Sequence, residues 1–193
     1  MTATLVLIDG SGFIFRAFHA LPPLTRPTDG VPVGAVYGFS SMLSKTLESY
    51  PNAVPLVVFD AGRESFRTKI YPQYKANRPP PPEELIPQFP LVREAVDAFN
   101  VPSVELAGYE ADDLIAAYAM AAKRAGQEVV IITSDKDLMQ LIADGIAIYD
   151  PLKNKPIGLA EVADKFGVTP DLVGDVLALA GDTDALHANG GWI

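Results

Sequence analysis

Leu5-Val6-Leu7-Ile8-Asp9 sets four apolar residues in a row and closes them with an acid. Two further stretches repeat the figure: Leu56-Val57-Val58-Phe59-Asp60 and Val129-Val130-Ile131-Ile132-Thr133-Ser134-Asp135. A strand with one wet face alternates apolar and polar residues, whereas an unbroken apolar run fits a strand buried on both faces. Three such runs predict an α/β fold, with a central, mostly parallel sheet flanked by helices. Ligands bind such sheets at the carboxyl ends of the strands. Asp9, Asp60, Asp135 and, two residues on, Asp137 are therefore expected along one edge.

Gly108-Tyr109-Glu110-Ala111-Asp112-Asp113 adds more acid beside that edge. It runs into the Ala- and Leu-rich segment 114–120, whose apolar spacing predicts a helix starting near Glu110. Glu110 and Asp113 then share a face, and Asp112 points about 100° away from Asp113. Acids at a helix start have a plain explanation in the positive end of the macrodipole. The neighbouring strand ends favour a second one: so many carboxylates in one crevice cannot all stay ionised without cations. Oxygen ligands with no Cys and two His in the chain suit Mg²⁺ or Mn²⁺ rather than zinc.

Composition narrows the class. The 193 residues suffice for one domain with a sizeable core, and the absence of Cys fits a reducing cytoplasm. The first residues lack the basic segment and apolar core of a signal peptide, and 5–8 is too short to span a membrane, so no membrane partner is expected. A formal net charge of −9 argues on average against nucleic acid. Segment 63–78 departs from that average: Arg63, Arg67, Lys69, Lys75 and Arg78 stand against Glu64 alone. Its basic residues alternate with Phe66, Tyr71 and Tyr74, the mixture that single-stranded nucleic acid needs for its backbone and bases. A solvated basic helix with aromatics in the core is the structural alternative.

Between these landmarks the chain reads as follows. Gly10-Ser11-Gly12 makes a tight turn without the full dinucleotide-binding spacing, and 13–20 is a short helix carrying Arg16, with His19 packed or at the surface. The Pro-rich run 21–33 is loop. Residues 34–50 form an amphipathic helix with Val36, Tyr37, Leu43 and Leu47 as core, and Gly34 and Gly38, four apart, permit close backbone approach to a neighbouring helix, the favoured reading, or to a phosphate. Pro79 to Pro82 exclude regular helix and make a stiff, projecting connection. Helix 85–99, strand 101–106, helix 136–142, strand 146–149, helix 159–166 and helix 171–180 complete the order, with no internal repeat and no linker.

Seven stretches carry a family resemblance: Leu7-Ile8-Asp9-Gly10-Ser11, Gly34-Ala35-Val36-Tyr37-Gly38-Phe39, Phe59-Asp60-Ala61, Tyr74-Lys75-Ala76-Asn77-Arg78-Pro79, Gly108 to Asp113, Thr133-Ser134-Asp135-Lys136-Asp137 and Leu177-Ala178-Leu179-Ala180-Gly181-Asp182. Together they resemble the 5′-nuclease domain found at the N-terminus of bacterial DNA polymerase I, related to the flap endonucleases. The resemblance implies a PIN-like (resolvase-like) three-layer fold over 1–185 with a helical arch at about 63–90. It implies hydrolysis of DNA phosphodiesters at 5′ ends or flaps with two divalent cations, Mg²⁺ or Mn²⁺. RNA primers and a covalently linked polymerase are further partners on that reading.

By the same match Asp9, Asp60, Glu110 and Asp112 line one metal position, while Asp113, Asp135, Asp137 and Asp182 line or support the other. Lys75 approaches the scissile phosphate and Tyr74 stacks on a base, with Arg78 beside them in the arch. Arg16, Arg67 and Lys69 are further phosphate contacts. The family follows its Gly-Asp with two residues and another Asp, then a helix-hairpin-helix. Here Ala185 takes that place, Asp184 comes one position early, and 186–193 match nothing, so the helix-hairpin-helix is expected to be missing. A catalytically incompetent nucleic-acid binder of the same fold is the alternative function. A phosphatase using Asp9 as nucleophile is a third, weakened because no second acid follows two residues later.

Overall fold

The computed structural model describes residues 3–180. Six strands form one sheet: β1 (Leu5–Asp9), β2 (Val54–Val58), β3 (Ser103–Val104), β4 (Val129–Ile132), β5 (Ile146–Asp150) and β6 (Lys155–Ile157), in the order β3-β2-β1-β4-β5-β6. The first five strands run parallel, and β6 pairs antiparallel with β5. From β1 the chain builds first toward β2 and β3, then crosses to β4 on the other side. Asp9 thus ends the strand at the point where the strand order reverses, the place where such sheets form a crevice.

The apolar runs do what their pattern requires. Leu7 belongs to one buried cluster, while Val6 and Ile8 belong to the other, on the opposite sheet face. Val57 and Ile132 divide from Val58 and Ile131 in the same way. Helices α1 (Gly10–Ala20), α2 (Gly34–Ser49) and α4 (Gln88–Ala98) cover one face. The other carries α5 (Ala111–Arg124), α6 (Leu159–Phe166) and α7 (Pro170–Ala180). The expected three-layer architecture is present. Each fully buried Leu, Ile or Phe contributes roughly 1.5–3 kcal/mol against chain entropy.

Several local expectations change. Gly10-Ser11-Gly12 is no turn: it is the first turn of α1, with Asp9 as the N-cap accepting from the Gly12 amide at 2.7 Å. Gly10 is needed for close approach, since a Cβ there would stand 2.5 Å from the Phe59 ring. Tyr37 is 61% exposed and not core; Ala35 and Phe39 take the inward positions of α2. Helix 85–99 starts at Gln88, after turns around Pro87. Residues 137–141 form a 3₁₀ turn rather than an α-helix, and β6, which contains Pro156, was not expected at all.

The arch segment differs most. Helix there is confined to α3 (Phe66–Ile70), at whose start the Thr68 hydroxyl accepts the Ser65 amide at 3.3 Å. Residues 71–78 follow as successive turns, in which the Tyr74 amide donates to the Tyr71 carbonyl and the Arg78 amide to the Lys75 carbonyl. Lys75 itself holds a left-handed φ of 55°. A strap of turns and prolines therefore crosses the sheet edge.

Candidate active site

Each acid reaches the edge by a distinct local device. Asp9 caps α1 through one carboxylate oxygen and accepts the Thr133 hydroxyl through the other, at 2.9 Å. Asp60 follows β2; its amide donates to Ser11 Oγ at 2.9 Å, and its carboxylate accepts the Ala111 amide at 2.7 Å, which pins the start of α5 to the end of β2. Glu110 is the N-cap of α5, and Asp113 returns a carboxylate to the Glu110 amide at 3.0 Å. After β4, the Asp135 amide donates to Thr133 Oγ1, and its carboxylate accepts from the Asp137 amide.

These carboxylates feel one another. Burial pushes Asp112 up to about 8, helped by the charges of Asp135, Asp9 and Asp60 and opposed by Lys75. Asp9 rises to about 6: burial is the largest cause, the Gly12 and Thr133 hydrogen bonds oppose it, and Asp135 and Asp60 add to it. Four acids from four chain segments thus form one electrostatic cluster, as the strand-end pattern predicts. An all-oxygen donor set carrying uncompensated negative charge fits a hard divalent cation. Among the described residues, however, no three of these side chains converge as they stand to hold one ion.

Cationic side chains of the strap occupy part of the set. Arg67 grips Asp113 with two bonds of 2.7 and 2.8 Å. Burial works to raise Asp113, yet the Arg67 bonds, the Glu110 amide and nearby positive charge carry it below the usual carboxylate range. Burial likewise works to lower Lys75, and its 3.0 Å bond to Glu110 overcomes that and raises it. Tyr74 donates to the same Glu110 oxygen at 3.2 Å, and the Lys75 ammonium lies 5.1 Å from the centre of the Tyr74 ring. A cavity of about 980 Å³ opens here, lined by Asp60, Glu110, Tyr74 and Lys75 together with Phe15 and Phe89.

The other predicted residues are distributed more widely. Lys69 is exposed on α3, and the Arg78 carbonyl accepts from Arg63. Arg16 is half-buried and donates to the Pro151 carbonyl at 3.1 Å, toward the β5–β6 turn. Asp137 stands near Lys136, at 3.7 Å. Asp182, with Gly181, Asp184, Ala185 and the 186–193 tail, lies outside the described residues.

Sequence reasoning missed the hydroxyls of Ser11 and Thr133, although both sit within two residues of a strand-end acid. It also missed Asp150, a buried acid that closes Ile146-Ala147-Ile148-Tyr149 and accepts from Ser134 and the Leu152 amide. The figure of an apolar run closed by an acid would have found it.

A mostly parallel sheet whose strand order reverses at an acid-lined edge, under a basic strap, defines a domain of the resolvase-like class. Residues 4–167 match the family described as the 5′-3′ exonuclease, N-terminal resolvase-like domain, and the chain belongs to that family. It is 54% identical over 186 residues to DNA polymerase I of Rhizobium leguminosarum, covering 93% of this chain and 18% of that one. It is 41% identical to a 5′-3′ exonuclease of Aquifex aeolicus, covering 93% of this chain and 62% of that protein. The chain spans about a fifth of the length of the polymerase relatives it matches. A bacteriophage T5 flap endonuclease, solved as a pseudo-enzyme-product complex with DNA and metal ions, shares the fold at a TM-score of 0.73 and 22% identity, covering 94% of this chain and 68% of that one.

Proposed function

We propose that this chain is the nuclease part of a 5′→3′ exonuclease or 5′-flap endonuclease that hydrolyses DNA phosphodiesters with two Mg²⁺ or Mn²⁺ ions. The observation that carries the reading is Glu110: one carboxylate oxygen of the acidic edge receives both Tyr74 and Lys75 of the strap. A group that neutralises a carboxylate in the free protein can turn to a phosphate when a cation takes the carboxylate.

Asp9, Asp60, Glu110 and Asp112 would hold one ion, and Asp113, Asp135, Asp137 and Asp182 would hold or support the other. Bound cations at such a site supply activated water and steady the departing oxygen of an in-line displacement. The chain's own residues supply the rest. Lys75 bears on the scissile phosphate, Tyr74 offers its ring to a base, and Arg67, Lys69, Arg78 and Arg16 hold the phosphate backbone. Supporting this are the family and the T5 relative, whose structure contains DNA and metal ions. RNA primers as substrate, a linked polymerase and a cytoplasmic setting complete the proposal; among the described residues no helix is long and apolar enough to cross a membrane.

A second reading, binding without cleavage, draws on Arg67 and Lys75: their ion pairs already neutralise Asp113 and Glu110. One assay separates the readings. A 5′-flap DNA and a small phosphate ester are each incubated with the protein and Mg²⁺, or with chelator. Cation-dependent release of the flap alone supports the nuclease. Flap binding without cleavage establishes the binder, and hydrolysis of the ester alone overturns both.

A further inference from the structure

We propose that Thr133 is a positioning residue that joins the acids of β1 and β4 into one rigid cation-binding unit. The inference rests on the cation reading above and assigns a role to a side chain that is not itself a ligand there. Thr133 is 1% exposed at the end of β4. Its hydroxyl donates to Asp9 Oδ2 at 2.9 Å and accepts the Asp135 amide at 3.0 Å. A hydroxyl can do both at once, since it carries one donor and two acceptor lone pairs. No apolar side chain can do either.

The consequences follow from what each bond fixes. The other oxygen of Asp9 is held by the Gly12 amide at 2.7 Å, so the Thr133 bond removes the remaining freedom of that carboxylate to rotate. The bond to the Asp135 amide sets where the chain leaves β4. Asp135 then uses its own carboxylate to receive the Asp137 amide at 2.8 Å. One hydroxyl therefore fixes Asp9 directly, across 124 residues of sequence, Asp135 through its backbone amide, and Asp137 through the Asp135 carboxylate. Ser11 serves the neighbouring strand in a related way, by receiving the Asp60 amide. Ligands oriented by such outer partners bind metal more tightly, and removal of a partner typically costs roughly 10–100-fold in affinity.

The test is Mn²⁺ binding by the whole chain, followed by the loss of free-ion signal in electron paramagnetic resonance, with melting of the cation-free proteins as the control for folding. Thr133→Val keeps the size and removes both hydrogen bonds; it should bind Mn²⁺ about 10–100-fold more weakly. Thr133→Ser keeps the hydroxyl and should bind close to the unmodified protein. Asp9→Asn serves as the direct ligand loss. Should the valine variant fail to fold, Thr133→Ser against Thr133→Ala, which differ by the hydroxyl alone, makes the same comparison. Equal affinity of the valine variant and the parent, with Asp9→Asn weakened, overturns the role of Thr133 and leaves the cation site standing. A parent chain that binds no Mn²⁺ overturns the cation reading, and this inference with it.

Discussion

Lys75 ties the strap to the acidic edge through one side chain. Its left-handed φ of 55° is unfavourable for a residue with a Cβ, by roughly 1–2 kcal/mol. The 3.0 Å bond to Glu110 helps to hold it there. Replacing Lys75 by Ala removes that bond and leaves Glu110 with the Tyr74 hydroxyl at 3.2 Å and the Arg67 guanidinium at 3.9 Å, so stability should change by less than about 1 kcal/mol. Cleavage should respond far more: loss of one donor aimed at charge developing on a phosphate costs roughly 10²–10³ in rate. Binding should fall much less, because Arg67, Lys69 and Arg78 remain. Single-turnover cleavage of a 5′-flap DNA at saturating protein measures the chemical step alone. Equal rates for Lys75→Ala and the parent would take Lys75 out of the reaction. The sequence marks Lys75 through its basic and aromatic neighbours. The Glu110 contact is invisible there, because the partners lie 35 residues apart and meet only once β2, α5 and the strap are in place.

At the level of elements, the contact between α1 and α2 depends on a missing side chain. A Cβ on Gly38 would stand 2.8 Å from the Ala17 Cβ and 3.3 Å from its Cα, so the helices would have to separate. Gly38→Ala gains up to about 1 kcal/mol of helix propensity, and overpacking costs about 1–3 kcal/mol. A net loss of about 1 kcal/mol is expected, read as a lower urea midpoint at unchanged slope. An unchanged or raised midpoint would mean that the helices adjust freely. Gly34 and Gly38 signal this approach in the sequence, and Gly38 alone makes it, since a Cβ on Gly34 meets nothing nearer than 3.7 Å. Helices with strong periodicity, α5 and α6 among them, lie within a residue or so of their expected limits. The strap does not, because aromatic and basic residues with no dominant period form turns as readily as helix. β6 escapes because Lys155-Pro156-Ile157 lacks strand character; its pairing comes from the turn that Asp150 ties down.

Over the whole molecule, Asp9, Asp60 and Asp135 were legible because burial on both faces leaves an unmistakable apolar run before each, whereas Asp150 closes β5, which is partly exposed, and was missed. Their mutual charge was legible as well. What the sequence could not show is how the free protein bears that charge: Arg67 and Lys75 relieve Asp113 and Glu110, while Asp9 and Asp112 rise toward neutrality. This difference predicts how stability varies with pH. A carboxyl whose folded pKa lies above its unfolded value binds more protons when folded, so stability falls as pH rises between the two values. For Asp9 and Asp112 the window runs from about 4 up to about 6 and about 8. Each contributes at most about 1.4 kcal/mol per pH unit, and less where water reaches it. Asp113 acts with the opposite sign, but its contribution is lost only as pH falls through its depressed value, below this window. The cation-free protein should therefore melt at a lower temperature at pH 8 than at pH 5. Millimolar Mg²⁺ should recover more at pH 8, where ionised carboxylates are there to receive it. General repulsion in a chain of net charge −9 would also lower the melting temperature with pH. Asp112→Asn separates the two causes, because it removes one charge of many but the largest raised group. Melting curves for the variant should flatten between pH 6 and pH 8; a slope equal to that of the parent would assign the effect to overall charge and not to the cluster.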